Sequence, residues 1–274
     1  MLSSLSFFSL LPILSFAFVQ SFFSLIPTSA DAHIIFLHQF LSLDLGVFES
    51  TFFMSVSIGI FSALLFLLFH TIWLEKKILP LFILSSVPSL LVLIFLHAPL
   101  KSFLGGSELV YIISLLVTGT LILFFDDYWW TRNKSGKRQF MKEYYKKSDV
   151  ENITFGQAFI VGIVQLFSFI PGVSPIFTGV YSARVLGISK RKSLLFSLIL
   201  CVPLFFFNGF VGFGDAWAIL TKNQLGTVVL GGIFAYIVAH FGIKILLHGI
   251  KKFPMDIFGW YSILFASVWY LFFY

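Results

Sequence analysis

The sequence predicts an all-α integral membrane protein with about six transmembrane helices and two re-entrant helical hairpins, arranged as an inverted repeat. Of its 274 residues, 58% are hydrophobic and only 11% are charged, whereas a soluble domain carries roughly 25% charged residues. Six apolar stretches are long enough to cross a hydrocarbon core about 30 Å thick, which takes about 20 helical residues. Two further apolar regions are interrupted by proline near the middle.

Six apolar stretches with few interruptions are predicted to span the membrane as helices. They cover residues 47–72, 78–96, 109–125, 193–213, 225–247 and 257–273. The chain is therefore predicted to be one membrane domain, with a first repeat over about 1–125, a cytoplasmic loop over 126–152 and a second repeat over about 153–274.

The two interrupted regions are predicted to be pairs of half-helices. Residues 5–41 break at Pro27 and residues 155–186 break at Pro171, because proline lacks an N–H and forces the preceding residue out of the helical conformation. Such backbone is tolerated at membrane depth only where it is buried in protein or lines a cavity. A signal peptide is disfavoured, since Lys76 is the first Lys or Arg and the usual basic start is missing.

The distribution of positive charge predicts the topology. If both interrupted regions return to their own side, 14 Lys and Arg residues face one side and 2 face the other; if residues 155–186 crossed once, the split would be 10 against 6. The excess marks the cytoplasmic face. Both termini are then extracytoplasmic, and the first hairpin enters from outside whereas the second enters from the cytoplasm.

An internal repeat follows from the two breaks. Val19-Gln20 precedes Ser24-Leu25-Ile26-Pro27, and Val164-Gln165 precedes Ser168-Phe169-Ile170-Pro171. Each copy is followed by three predicted spans, and because three is odd, the second copy is inverted. Chance recurrence of short Phe, Ile and Ser motifs in a biased composition is the alternative.

The polar turns suggest a phosphate site. Half-helix N-termini present unpaired N–H groups and the positive end of the helix dipole, and hydroxyl groups of Thr28, Ser29, Ser174 and Thr178 lie beside them. A phosphate bound within a membrane implies a lipid phosphate. No nucleic acid is expected, because the positive charges lie mostly between apolar runs, where orientation signals are found.

Around the second break the sequence resembles the bacterial undecaprenyl-diphosphate phosphatases associated with bacitracin resistance. That family's pattern is Q-A-F, G-x-x-Q, P-G-x-S-R-S-G and G-[IVM]-S-R. The matching residues are Gly156-Gln157-Ala158-Phe159, Gly162, Gln165, Pro171-Gly172-Val173-Ser174, Gly187-Ile188-Ser189-Lys190, Phe196-Ser197 and Val202-Pro203. The first break resembles a degenerate form of the family's E-G-x-T-E-F-L-P-[IV]-S-S-x-G-H motif and keeps Pro27, Ser29 and His33.

The resemblance implies an enzyme of the bacterial inner membrane that removes the terminal phosphate of undecaprenyl diphosphate, the polyprenyl lipid carrier of peptidoglycan synthesis. It also implies a divalent cation, Mg²⁺ or Ca²⁺, with unknown ligands in this chain. The family's two glutamates fall on Gln20 and Ser24, and its arginine falls on Pro175. Because an arginine fork and carboxylates neutralise phosphate charge or hold cations in ways that these residues do not, the family mechanism cannot run here unchanged.

Three matched residues keep a group suited to catalysis, and the resemblance implies a catalytic role for them: Ser29, His33 and Ser174. His33 is a candidate base or transient nucleophile, whereas the serines could instead serve as helix caps. We predict further substrate-binding residues near the two breaks: Gln20, Ser24, Thr28, Asp31, Gln165, Gly172 and Thr178.

Two charged residues near the breaks have competing interpretations. Asp31 could hold a cation or orient His33, but an aspartate before a helical run is also a favoured N-cap. Arg184 could reach phosphate, but it lies about 13 Å along its helix from Pro175, so we favour an interfacial position.

Three functions remain open at this point. The first is a divergent undecaprenyl-diphosphate phosphatase. The second is a catalytically inactive relative that binds or flips a polyprenyl phosphate, and the third is a transporter of another solute or a structural membrane protein. A homodimer is left open.

Overall fold

The computed structural model describes residues 7–42, 48–96, 99, 107–134, 153–210, 222–250 and 254–274. All regular secondary structure within these ranges is helical, which confirms the predicted all-α class. The helices are α1 Phe7–Phe23, α2 Ala30–Leu41, α3 Phe48–Leu74, α4 Ile78–Phe95, α5 Glu108–Lys134, α6 Phe155–Val164, a 3₁₀ helix Gln165–Phe169, α7 Pro175–Val185, α8 Lys190–Leu200, α9 Val202–Phe210, α10 Lys222–Gly249 and α11 Asp256–Phe273.

Six helical stretches are long and apolar enough to cross a membrane, as predicted. They are Glu49–Leu74, Ile78–Phe95, Glu108–Phe125, Lys190–Phe210, Gln224–Gly249 and Asp256–Phe273. Their outer faces carry large apolar side chains such as Trp73, Phe95 and Leu271. Apolar surface of this extent is expected where helices face lipid.

Two of the predicted boundaries differ from the structure. Helix α5 continues to Lys134, into the segment predicted as a loop, because no Gly or Pro interrupts the chain between Gly119 and Gly136. The fourth span is two helices, α8 and α9, separated by a turn at Cys201. Pro203 explains this turn, since its missing N–H removes a helical hydrogen bond. The rest of the predicted cytoplasmic loop, 135–152, lies outside the described residues.

Small residues bring the spanning helices close together. A Cβ added to Gly119 on α5 would lie 2.8 Å from the Gly259 carbonyl oxygen on α11, and contacts of this kind are typical of helix packing in membranes. Helix α4 packs on α6 as α10 packs on α1, and α5 pairs with α11. In the predicted repeat, α1 corresponds to α6, α4 to α10 and α5 to α11. Each of these contacts therefore has an equivalent with the two halves swapped, which supports the repeat, although its boundaries stay a prediction.

The first interrupted region folds into two helices that return to one end of α3. Helices α1 and α2 pack on each other, and the rings of Phe16 and His38 contact each other at a tilt of 43°, with their centroids 4.5 Å apart. His38 Nε2 also lies 3.0 Å from Glu49 Oε1 at the start of α3. The turn between α1 and α2 packs against a different helix, α10. A Cβ added to Gly242 on that helix would lie 2.7 Å from the Leu25 side chain in the turn.

The second interrupted region has the same plan. The Gln157 side chain, near the start of α6, donates a 2.9 Å hydrogen bond to the Leu186 carbonyl at the end of α7. Thr154 caps α6 and exchanges hydrogen bonds with Gln157 as a capping box. In both regions, the two helices are thus in contact at the ends away from the turn that joins them. That each pair turns back within the bilayer stays a prediction.

Candidate functional site

The turns of the two interrupted regions meet at one cavity of about 330 Å³. Three further helices, α4, α5 and α9, complete its wall. The residues that line it are Gln20, Ser24, Thr28, Ser29, Ala30, Asp31, Leu93, Tyr111, Ser168, Phe169, Ile170, Pro171, Val173, Pro175, Leu204, Phe205 and Asn208. Breaks that are 144 residues apart in sequence are therefore neighbours in space.

A direct hydrogen bond joins the two turns. Ser174 Oγ donates to the carbonyl oxygen of Ile26 at 3.1 Å and accepts the backbone N–H of Phe177 at 3.3 Å. Ser174 is therefore both the N-cap of α7 and the link to the first turn. It is buried and does not line the cavity.

Gly172 allows the second turn to press against α5. Its φ of +87° lies in the left-handed region, which favours glycine. A Cβ at this position would also lie 2.7 Å from Ser114 Cβ and 3.0 Å from the Tyr111 backbone. Gly172, predicted to bind substrate, is not among the residues that line the cavity, and it packs the turn against α5 beside it.

Two helix N-termini point their first turns at the cavity. Ser29 is the N-cap of α2, with its hydroxyl accepting the Ala32 N–H at 3.2 Å, and Pro175 is the first residue of α7. The first residue of each helix lines the cavity. The positive ends of two helix dipoles therefore converge there, which favours an anion.

Asp31 occupies a different place from the one its N-cap interpretation requires. Ser29 is the cap, and Asp31 is the second residue of α2. Its carboxylate lies at the cavity and accepts a hydrogen bond from the Gln20 side chain across the turn. The N-cap interpretation of Asp31 is therefore wrong, and the carboxylate is available to a ligand.

Thr28 supplies an unpaired hydroxyl. The residue is 2% exposed and lines the cavity, and its Oγ1 has no hydrogen-bond partner among the described residues. A buried hydroxyl without a partner costs free energy. Ser24, by contrast, donates its hydroxyl to the Gln20 carbonyl oxygen at 2.5 Å.

His33 does not reach this cavity. Its Nδ1 lies 2.5 Å from the Ser29 carbonyl oxygen, so this nitrogen carries the proton, and its Nε2 then accepts the hydroxyl of Tyr261 at 2.7 Å. The imidazole is also stacked between Phe23 and Phe265, with centroid distances of 3.6 and 4.1 Å. Both ring nitrogens are hydrogen-bonded to protein groups. In this structure, His33 therefore holds the Ser29 backbone in place.

Gln165 and Thr178 lie behind the cavity wall. Thr178 Oγ1 donates to Gln165 Oε1 at 3.2 Å, and neither residue lines the cavity. The Nε2 of Gln165 is buried and unpaired among the described residues. Arg184 lies at the far end of α7, where its Nη1 is 3.4 Å from the Ile188 carbonyl oxygen.

The charge and the donor atoms of the cavity bear on the implied cation. Among the described residues that line it, Asp31 is the one charged residue, and none is a Lys or Arg. No group of three or more His, Cys, Asp or Glu side chains within the described part of the chain could hold a metal ion. One carboxylate with amide and hydroxyl oxygens nevertheless fits Mg²⁺, which typically binds one or two carboxylates together with substrate phosphates.

Four polar contributors to the site were not predicted as site residues from sequence. Asn208, Tyr111 and Ser168 line the cavity, and Tyr261 holds His33. A single amide within the apolar run of α9 was the available signal for Asn208, because polar residues in a span are generally functional. The two tyrosines gave no comparable signal, since tyrosines are common near membrane interfaces.

These features define a class of protein: a multi-pass helical membrane protein whose two broken helix pairs meet at an anion-suited, oxygen-lined cavity. The family model for the bacitracin resistance protein BacA matches residues 13–268, and this chain belongs to that family.

The chain is also similar to curated proteins that are named undecaprenyl-diphosphatase. One from Aquifex aeolicus is 24% identical over 255 residues, covering 93% of this chain and 95% of the relative. One from Campylobacter fetus is 24% identical over 257 residues, covering 93% and 95%. One from Leptospira biflexa is 26% identical over 272 residues, covering 90% and 92%.

Proposed function

We propose that this protein is an undecaprenyl-diphosphate phosphatase that recycles the lipid carrier of cell-wall synthesis in the bacterial inner membrane. The observation that carries this proposal is the meeting of both breaks around one cavity that suits a phosphate. Full-length similarity to undecaprenyl-diphosphatases supports the same reaction. In it, water forms a bond to the terminal phosphorus, the bond to the bridging oxygen breaks, and inorganic phosphate leaves.

The position of the cavity suits a substrate in the outer leaflet. The cavity lies near the end of α4, the start of α5 and the end of α9, where Leu93, Tyr111 and Asn208 line it. The charge distribution predicts that this end faces the outside. The prenyl chain would then remain among the lipid tails while the diphosphate enters the cavity.

Groups of this chain would hold the diphosphate from two sides. The Thr28 hydroxyl donates to a phosphate oxygen, and Ser29 does the same because its oxygen is already used as an acceptor by Ala32. Ser168 and the N-terminus of α7 approach from the second break. Positioning of this kind is the main contribution that proteins make to phosphoryl transfer.

Asp31 and Gln20 would hold a divalent cation. A carboxylate beside a diphosphate is repelled by it unless a cation lies between them, and none of the described side chains that line the cavity is a Lys or Arg. Mg²⁺ or Ca²⁺ would supply charge neutralisation when bound. Asp31 thereby replaces the charge missing at Gln20 and Ser24, the positions of the family's glutamates.

Among the residues predicted to be catalytic, Ser29 is the one that lines the cavity. His33 is proposed as a positioning residue, because it acts on the substrate only through the Ser29 backbone. Ser174 is proposed in the same way, since its hydroxyl joins the two turns. Monomer and homodimer are equally compatible with this site, because both breaks belong to one chain.

The test is release of inorganic phosphate from undecaprenyl diphosphate by the purified full chain. We expect release that requires Mg²⁺ or Ca²⁺ and stops on chelation. Asp31→Asn should lower kcat/KM by about 100-fold, because a neutral amide no longer balances the cation (about 2.7 kcal/mol). His33→Ala and Ser174→Ala should lower both the rate and the thermal stability.

Glu108→Gln is the matched control for Asp31→Asn. It removes one carboxylate at the same end of the molecule, where Glu108 pairs with Tyr274 at 3.0 Å away from the cavity, and should leave the rate unchanged. Saturable binding of the lipid without phosphate release under any cation condition would contradict the enzyme and favour the inactive, lipid-binding relative. Equal effects of Asp31→Asn and Glu108→Gln would contradict the site.

A further inference from the structure

A second cavity, of about 640 Å³, lies at the opposite end of the molecule among α3, α8 and α10. It shares no lining residue with the cavity between the two turns. Among the described residues, its polar lining is mainly basic, with Arg191, Lys192, Lys244, His70, His240 and His248 beside Thr71, Ser189 and one carboxylate, Glu75. The hydrolysis proposed above uses none of these residues.

The basic groups extend into the span of α10. That helix ends at Gly249, so Lys244 lies about 8 Å and His240 about 14 Å from its end at 1.5 Å per residue. Ionisable residues at such depth are costly, and they usually mark a functional site. Lys244 and Arg191 are both exposed in the structure, so their charged ends are accessible to a ligand.

The remaining lining is apolar. Phe66, Leu67, Leu195, Ile243 and Leu247 form much of the wall. A cavity lined by both cationic and apolar side chains matches an amphiphile better than a free ion. Its place at the end of α3 and α10 also puts it on the face that the excess of Lys and Arg predicts to be cytoplasmic.

We infer that this second cavity binds the phosphate headgroup of an anionic phospholipid from the cytoplasmic leaflet. Arg191, Lys192 and Lys244 bind the phosphate oxygens through charge-assisted hydrogen bonds, and the apolar wall contacts the acyl chains. Basic pockets between transmembrane helices on this side are suited to such headgroups. The inference goes beyond the proposed hydrolysis and does not depend on it.

The experiment measures retained lipid by native mass spectrometry of the purified full chain, reconstituted with phosphatidylglycerol or with phosphatidylcholine. We expect the unsubstituted protein to retain phosphatidylglycerol and not phosphatidylcholine. The double variant Arg191→Gln/Lys244→Gln should bind phosphatidylglycerol at least about tenfold more weakly, since each charge near the surface contributes to anionic lipid binding.

The double variant Lys76→Gln/Lys77→Gln is the matched control. Both lysines are exposed in the turn between α3 and α4, at the same end of the molecule and outside this cavity, so lipid retention should not change. Equal losses in the two double variants, or full retention by Arg191→Gln/Lys244→Gln, would overturn the site. Displacement of phosphatidylglycerol by millimolar inorganic phosphate would overturn the lipid as its ligand.

Discussion

Thr28 and Ser29 are adjacent residues that the fold uses differently. The Ser29 hydroxyl accepts the Ala32 N–H as a helix cap, whereas the Thr28 hydroxyl has no partner among the described residues although it is buried. A cap is explained by the helix alone. The unpaired Thr28 hydroxyl at the cavity is available to donate to a ligand.

Thr28→Val tests this residue. Valine keeps the shape of threonine but cannot donate to a phosphate oxygen, so phosphate release should fall about tenfold, the expected effect of one hydrogen bond to a charged group. The thermal midpoint should be unchanged or higher, because no internal hydrogen bond is lost. Initial rates and melting curves of the purified variant measure both.

Thr178→Val serves as the control for that substitution. The Thr178 hydroxyl bonds to Gln165 Oε1 at 3.2 Å and to the Pro175 carbonyl oxygen at 3.0 Å, so its loss should lower the free energy of unfolding by about 1 kcal/mol. If Thr28→Val destabilised the protein as much as Thr178→Val and left the rate intact, Thr28 would be a packing residue.

The turn that begins at Ile170 is the element on which the shared cavity depends. It packs on α5 through Gly172 and on the first turn through Ser174. Proline at 171 forces the break, glycine at 172 reverses the chain and serine at 174 starts α7. Each of these local roles follows from the chemistry of the residue.

Gly172→Ala should displace this turn. An added methyl group would have to occupy a left-handed φ of +87° and would lie 2.7 Å from Ser114 Cβ. We expect a loss of about 1–3 kcal/mol in stability together with lower activity. Gly156→Ala, where no atom lies within 4 Å of the added Cβ, should leave both unchanged; similar melting curves for the two variants would contradict the packing of this turn.

The helical elements were largely predictable from sequence, but the side-chain directions within them were not. Proline at 27 and 171 marks both breaks because its effect on the backbone is covalent and local. The orientation of His33 depends on Tyr261 and Phe265, which are more than 200 residues away in the chain, and local pattern carries no information on such contacts. The same holds for Asn208, whose place at the cavity depends on how α9 packs.

At the scale of the whole molecule, the two cavities lie at opposite ends. The orientation of the molecule in the membrane therefore decides which side each cavity faces. The cavity between the turns adjoins the end of α4 and the start of α5, whereas the basic cavity adjoins the end of α3 and of α10. The distribution of Lys and Arg predicts this orientation, because the predicted topology places 14 of these residues on one side and 2 on the other.

Cysteine labelling tests that orientation in the membrane. The native Cys201 is fully buried, so we expect it to react little with a maleimide. Labelling of a single introduced cysteine can therefore be measured against a low background. A membrane-impermeant maleimide should label Ser107→Cys in right-side-out vesicles and Lys76→Cys only in inside-out vesicles, since both positions are exposed at opposite ends. The reverse pattern would contradict the predicted topology.

The central claim is that the two breaks form one catalytic site, and a double-mutant cycle across them measures it most directly. Thr28 and Ser168 line the cavity from different breaks. We predict that Thr28→Val and Ser168→Ala each lower kcat/KM for phosphate release from undecaprenyl diphosphate. The double variant should lose less than the product of the two effects, with a coupling of about 0.5 kcal/mol or more. Wild-type turnover by Ser168→Ala, or effects that multiply independently, would contradict a shared site.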